Sequence, residues 1–265
     1  MTAVAEKPAR KRHRLRTAII VLVVIVLVLV VGFFVGDYYA KKYATNYVRE
    51  QVATALGLPS TAPVEVDLGS GSILLQAASG RIQDVNVTVE PLVVDGLSGS
   101  AVLVAHGVPL NETTPVSSLA VKVTVPTSTV ETAISRVPAI ASLKPTVKIS
   151  GKTVAVAGTI SVFGFPQSIG ATLVPKVVKG VPGFTIRTAS FDGATVSASL
   201  LDRYLPGLTT YLESGTSLCI ADQLPKAFAL TSITLSGQSI VSTFTGNGVE
   251  LNGATLSQKG TCAAK

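Results

Sequence analysis

The chain has 265 residues, 47 % of them hydrophobic and 14 % charged, with a formal net charge of +7, no Trp and two cysteines. Residues 1–17 carry +5 of that charge and residues 37–265 only +2, so the basic stripe that a nucleic-acid binder needs on its folded domain sits on a short terminal tail. The 229 residues after the apolar run described next can form one substantial, mostly β unit, greasy enough for a large two-sided core or for a core that also encloses an apolar ligand.

From Ala18 to Val35 every residue is apolar except Gly32. At about 1.5 Å per residue such a run spans roughly 27–30 Å, the hydrocarbon thickness of a bilayer. Lys7, Arg10, Lys11, Arg12, Arg14 and Arg16 precede it, which predicts a cytoplasmic N-terminus and an exported remainder. A cleaved secretory signal is the rival. The length of the run and the flank Asp37-Tyr38-Tyr39-Ala40-Lys41-Lys42, a poor cleavage site, favour an uncleaved anchor. The tail serves to orient the span, with attraction to anionic headgroups as the functional alternative.

Ala40, Tyr43, Ala44, Tyr47, Val48, Val52 and Ala55 then recur at helical spacing, and Gly57 and Pro59 supply a stop. The pattern predicts an amphipathic helix from about Tyr38 to Leu56, continuing from the anchor without a linker, its tyrosines near the membrane interface. From Val64 the period changes to two. Val64, Val66 and Leu68, then Val85, Val87 and Val89, alternate with polar residues as half-buried strands do. Further strands are predicted at Ala101–His106, Leu119–Val125, Thr146–Ser150, Val154–Val162, Gly183–Arg187, Leu230–Leu235 and Ser239–Phe244, with turns such as Asp95-Gly96, Gly151-Lys152 and Asn247-Gly248. Together they read as one long, curled antiparallel meander.

Two helices interrupt the strands. Ser128-Thr129-Val130-Glu131 reads as a capping box leading into Ala133, Ile134 and Val137, and Ser199-Leu200-Leu201-Asp202 repeats the arrangement before Tyr204, Leu205 and Leu208, with Pro206 kinking the second helix. The recurrence fits a duplicated module or chance. Cys219 and Cys262 both lie on the exported side, where a disulfide is permitted; closing a loop of about 43 residues would contribute ~4 kcal/mol. A reactive thiol pair is the alternative, but the spacing lacks the Cys-x-x-Cys form.

Catalytic and metal-binding constellations are missing from the pattern. His106 is the one exported histidine, at a strand end, and reads as structural unless a serine lies beside it in space. No Gly-x-Ser-x-Gly elbow occurs. Ser150-Gly151-Lys152-Thr153 imitates the end of a phosphate loop, but Thr146 stands where that loop needs glycine. Carboxylates such as Glu65, Asp67, Asp84, Glu90, Asp192 and Asp202 are dispersed, with no metal-ligand spacing and no required cofactor. Asn86-Val87-Thr88 and Asn111-Glu112-Thr113 match the glycosylation sequon, a triplet that chance also produces.

The order of a basic tail, an anchor and an amphipathic helix, followed by Gly80-Arg81-Ile82-Gln83-Asp84-Val85-Asn86-Val87 and later by Leu218-Cys219-Ile220-Ala221-Asp222-Gln223-Leu224-Pro225, resembles the LmeA-like phospholipid-binding family of actinobacterial envelopes. Where that family has a Pro-Phe-Leu-type stretch before the Gly-Arg-Ile-like segment, this chain has Ser72-Ile73-Leu74-Leu75-Gln76. The resemblance implies an α+β fold: a long curved antiparallel sheet wrapped around two or three helices, as in tubular lipid-binding proteins, enclosing an apolar cavity for acyl chains. On that reading Tyr43, Tyr47, Val48, Val52, Leu201, Tyr204, Leu205 and Leu208 line the cavity, although core packing without a ligand would use the same residues.

The expected organisation is a cytoplasmic tail (1–17), a single transmembrane anchor (18–36) and an exported lipid-binding-like domain (37–265). The expected function is to hold or transfer a phospholipid or lipid-linked envelope precursor at the membrane, without catalysis. A scaffold binding another envelope protein is the alternative, and an envelope hydrolase built on His106 or on converging carboxylates is a third reading.

Overall fold

The computed structural model describes residues 11–55, 58–59, 61–94, 96–111, 113–136, 143–162, 164–178, 180–197 and 226–260. The basic and apolar segments and the amphipathic stretch form one unbroken helix, α1 (Lys11–Ala55). No proline falls within it, and at about 1.5 Å per residue it is roughly 68 Å long. It is the one helix among the described residues long and apolar enough to cross a membrane. Its apolar side chains from Leu22 to Val35 are all exposed, as a surface solvated by lipid requires.

Beyond the apolar run the helix becomes one wall of the core. Ala40, Ala44, Val48 and Val52, four residues apart and therefore on one face, pack against the buried cluster of Val64, Leu68, Ile73, Val85, Val87, Val89, Ala105, Val116, Leu119 and Val249. The following chain runs antiparallel to α1 through β1 (Val64–Asp67) to the six-residue α2 (Ile73–Ala78). Strands β2 (Arg81–Val94), β3 (Leu97–Pro109) and β4 (Ser118–Pro126) follow, then α3 (Thr127–Ser135). A second run comprises β5 (Thr146–Ser150), β6 (Thr153–Val162), β7 (Phe165–Val178), β8 (Val181–Phe191) and β9 (Ala194–Val196). The hairpin β10 (Ala229–Ser236) and β11 (Ser239–Gly246) and the short α4 (Gly253–Ser257) come last.

All strand pairs are antiparallel, but they form two sheets rather than one meander: β1-β2-β3-β4-β11-β10 and β5-β6-β7-β8-β9. The late hairpin returns to pair β11 with β4, from Ser239 opposite Pro126 to Gly246 opposite Leu119. Its turn also ties the sheets together. The Gln238 side chain bonds both the N–H (3.3 Å) and the carbonyl (3.1 Å) of Ile149, occupying the edge of β5 as a further strand would. Residues Gly151 and Lys152 form the two-residue β5–β6 turn, with Gly151 at φ 59°, so the phosphate-loop lookalike is a hairpin.

Strand β2 continues through Pro91, past the four residues that pair with β1, where one flank lacks a neighbour and the missing N–H breaks no ladder on that side. The predicted capping box at Ser128 does not form. Helix α3 starts after Pro126 with no side-chain cap, and the Glu131 carboxylate instead accepts the backbone N–H of Val147 at 2.5 Å, joining α3 to β5. Residues Ser199–Asp202, the second helix around Pro206, and Cys219 and Cys262 lie outside the described residues.

Leu68 is 1 % exposed at the centre of the first core and Val93 is 49 % exposed. Leu68→Ala should cost about 2–5 kcal/mol, whereas Val93→Ala should stay within about 0.5 kcal/mol, both read from denaturant unfolding of the full-length protein in detergent.

Candidate lipid-binding face

Strand alternation gives the first sheet an apolar inner face. Val85, Val87 and Val89 of β2 stand opposite Ala105, Leu103 and Ala101 of β3, which stand opposite Leu119, Val121 and Val123 of β4. Phe244 and Ile240 of β11 continue the rows opposite Val121 and Val125, and Ile233 and Leu235 of β10 extend them. Burial varies along this face. Val85, Val87 and Val89 of β2 are 2–7 % exposed, and Leu119, Phe244 and Leu230 are buried as well, while Val121, Val123, Val125 and Ile240 are half-buried. The face is packed against a helix and partly accessible at those four residues.

Of the residues expected to line a cavity, Val48 and Val52 meet this face. Tyr43 and Tyr47 are 75 % and 54 % exposed and stand on the flank of α1, in line with Tyr39 one turn earlier. Leu201, Tyr204, Leu205 and Leu208 lie outside the described residues. The half-buried Val121, Val123, Val125 and Ile240 do not stand out in the sequence beyond the alternation of their strands.

A polar hinge-point fixes the lower end of the face. The Asp37 carboxylate accepts the Ser72 hydroxyl at 2.8 Å and the Leu74 N–H at 2.9 Å, and the Ser72 hydroxyl in turn accepts the Leu75 N–H at 3.2 Å. These contacts give the first turn of α2 partners for N–H groups that a helix leaves unpaired. The Leu74 N–H, followed by the Ser72 hydroxyl and, less strongly, the Lys41 charge, holds the Asp37 carboxyl below the ordinary aspartate range, against a smaller opposing effect of desolvation. Lys41 bonds the carbonyl of Gly69, and Arg49 bonds that of Val64 at 2.9 Å. Gln76, buried in α2, accepts the Gln83 N–H at 2.7 Å and ties α2 to β2.

On the opposite face of the sheet Asp84, His106 and Ser118 are cross-strand neighbours on β2, β3 and β4. Asp84 Oδ1 and His106 Nδ1 are 2.6 Å apart, and both side chains are about half exposed. The serine that the sequence left unplaced is therefore beside His106, but on an open sheet surface wetted by solvent. An acyl-transfer site depends on donors preorganised in a water-excluded pocket. Among the described residues no group of three or more His, Cys, Asp or Glu is placed to hold a metal ion.

The model of a phospholipid-binding family matches residues 35–245, from the end of the apolar run through β11. The chain belongs to the LmeA-like phospholipid-binding family. That match spans α1 beyond its apolar part, the whole second sheet and all but the last residue of the first. LmeA-like proteins are lipid-binding, not catalytic, so the Asp84–His106 pair is a surface contact of the sheet. No curated protein and no solved structure matches the chain.

With its lowered folded pKa, Asp37 contributes its full effect above the ordinary aspartate value of about 3.9 and loses it as pH falls through the folded value. At neutral pH, Asp37→Ala should therefore speed amide exchange at Leu74 several-fold, and that difference from the parent should vanish in acid.

Proposed function

We propose that this LmeA-like protein is a single-pass envelope protein, with residues 1–17 in the cytoplasm, 18–36 in the bilayer and 37–265 outside, that holds or transfers phospholipid. The observation that carries the reading is the apolar inner face of the first sheet, buried at β2, Leu119 and Phe244 but only half-buried at Val121, Val123, Val125 and Ile240. An acyl chain laid along Val121, Val123 and Phe244, beside Val48 and Val52, exchanges water for apolar contacts at roughly 0.8 kcal/mol per methylene. On this reading the sheets curve around the bound chain, and Leu201, Tyr204, Leu205 and Leu208 contribute to the lining of the same cavity. Tyr43 and Tyr47 border the entrance from the flank of α1. The same pocket would accept a lipid-linked envelope precursor whose headgroup stays in water. Family membership favours this over a scaffold that only binds another protein.

Native mass spectrometry of the full-length protein, stripped of detergent by collisional activation, should show bound phospholipid. The double variant Val121→Asn, Val123→Asn should lower that occupancy about tenfold, because an unpaired buried amide costs about 1–3 kcal/mol. Unchanged circular dichroism would show that the variant remains folded. A parent protein that emerges free of lipid would count against the proposal.

A further inference from the structure

The contacts along α1 rank the exported elements by height above the apolar run. Arg49 meets Val64, Lys41 meets Gly69 and Asp37 meets Ser72, so the chain after α1 descends antiparallel to it for twelve helical residues, roughly 18 Å. It stops at Asp37, two residues past Val35. There α2 crosses, its Leu74 beside Gly36, where an added Cβ would lie 3.7 Å from Leu74 Cδ1. Strand β2 then climbs away. Strand β3 returns to the same end, with Pro109 opposite Arg81 and the Leu110 N–H bonded to the Gly80 carbonyl at 3.0 Å.

At this level three leucines face outward: Leu74 is 36 %, Leu75 63 % and Leu110 55 % exposed. One exposed leucine is ordinary. Three gathered at one end of a domain, at the height where its helix leaves an apolar run, form a surface continuous with that run. The exposed Lys42 stands at the same end, suited to anionic headgroups, beside the half-buried Arg81, whose Nη1 donates to the Gly107 carbonyl at 3.0 Å.

We infer that α2 and Leu110 form a second membrane contact, seated in the headgroup region of the leaflet from which α1 emerges and setting the sheet's lower end on the lipid surface. The occupant is the bilayer itself, because α1 delivers this end to it: the helix has no proline or break between its apolar run and Asp37. Short apolar segments flanked by basic residues sit at this depth in membranes. Asp37 then acts as a positioning residue, holding α2 at that height through Ser72 and Leu74.

The inference rests on α1 spanning the bilayer, and the test separates the two. The chain contains no Trp, so single substitutions report their own surroundings. Full-length Leu75→Trp, Leu110→Trp, Val28→Trp and Lys152→Trp proteins are reconstituted into phosphatidylcholine vesicles containing some phosphatidylglycerol, with and without acyl chains brominated near the headgroup or, for Val28→Trp, near the chain terminus. Leu75→Trp and Leu110→Trp should emit to the blue of Lys152→Trp, which lies in the β5–β6 turn, and should lose emission to brominated lipid while Lys152→Trp does not. Val28→Trp should also be quenched. Quenching at Val28→Trp with none at Leu75→Trp and Leu110→Trp overturns the second contact and leaves the anchor standing. Equal quenching at Lys152→Trp overturns it as non-specific adsorption. Absence of quenching at Val28→Trp overturns the anchor, and the inference with it.

Discussion

One helix has to satisfy two solvents, and the rest of the structure depends on how it does so. The apolar part of α1 is exposed throughout its described length, while Ala40, Ala44, Val48 and Val52 are committed to the first core. The two alanines let the sheet approach closely, and the two valines fill the space beyond them. Because the helix is unbroken between these parts, the orientation of the first sheet follows from the orientation of α1. Lys41, Arg49 and Asp37 lock the register of that docking, each on the chain that descends beside the helix.

Docking of one helix leaves part of a sheet less covered. The inner face is dry at β2, Leu119 and Phe244 and less covered at Val121, Val123, Val125 and Ile240. In a fold built only for stability, a half-buried row of valine and isoleucine is a cost that a larger side chain would remove. In a chain of a phospholipid-binding family, the same row is where the proposed acyl chain would lie. The second sheet is joined to this unit through Gln238 and Glu131, both bonded to β5.

What could be read from the sequence was whatever has a strong local period. The apolar run needs only its length, and the strands of the first sheet announce themselves by alternation at Val85, Val87 and Val89. Strand β7 was hidden because Pro166, Gly170 and Pro175 look like punctuation. Pro175 is tolerated because it lies beyond Leu173, the last residue paired to β6. Helix α2 is too short to show a period, and its partner Asp37 is 35 residues away. The return of β11 to β4 likewise has no local signature. On α1, the packing of Val48 and Val52 against the first sheet was legible, while the same stripe took in the exposed Tyr43 and Tyr47. A window along a helix does not separate the face that meets the sheet from the flank about 100° away.

The claim that most needs a direct measurement is where lipid sits. A phospholipid carrying a diazirine near the end of its acyl chain, photolysed with the full-length protein in vesicles and mapped by peptide mass spectrometry, reports every segment that an acyl chain touches. The account predicts adducts on β4 and β11, at residues 119–125 and 240–244, in addition to those on the apolar run of α1. Adducts confined to residues 18–36 and to the elements at the membrane surface would contradict it.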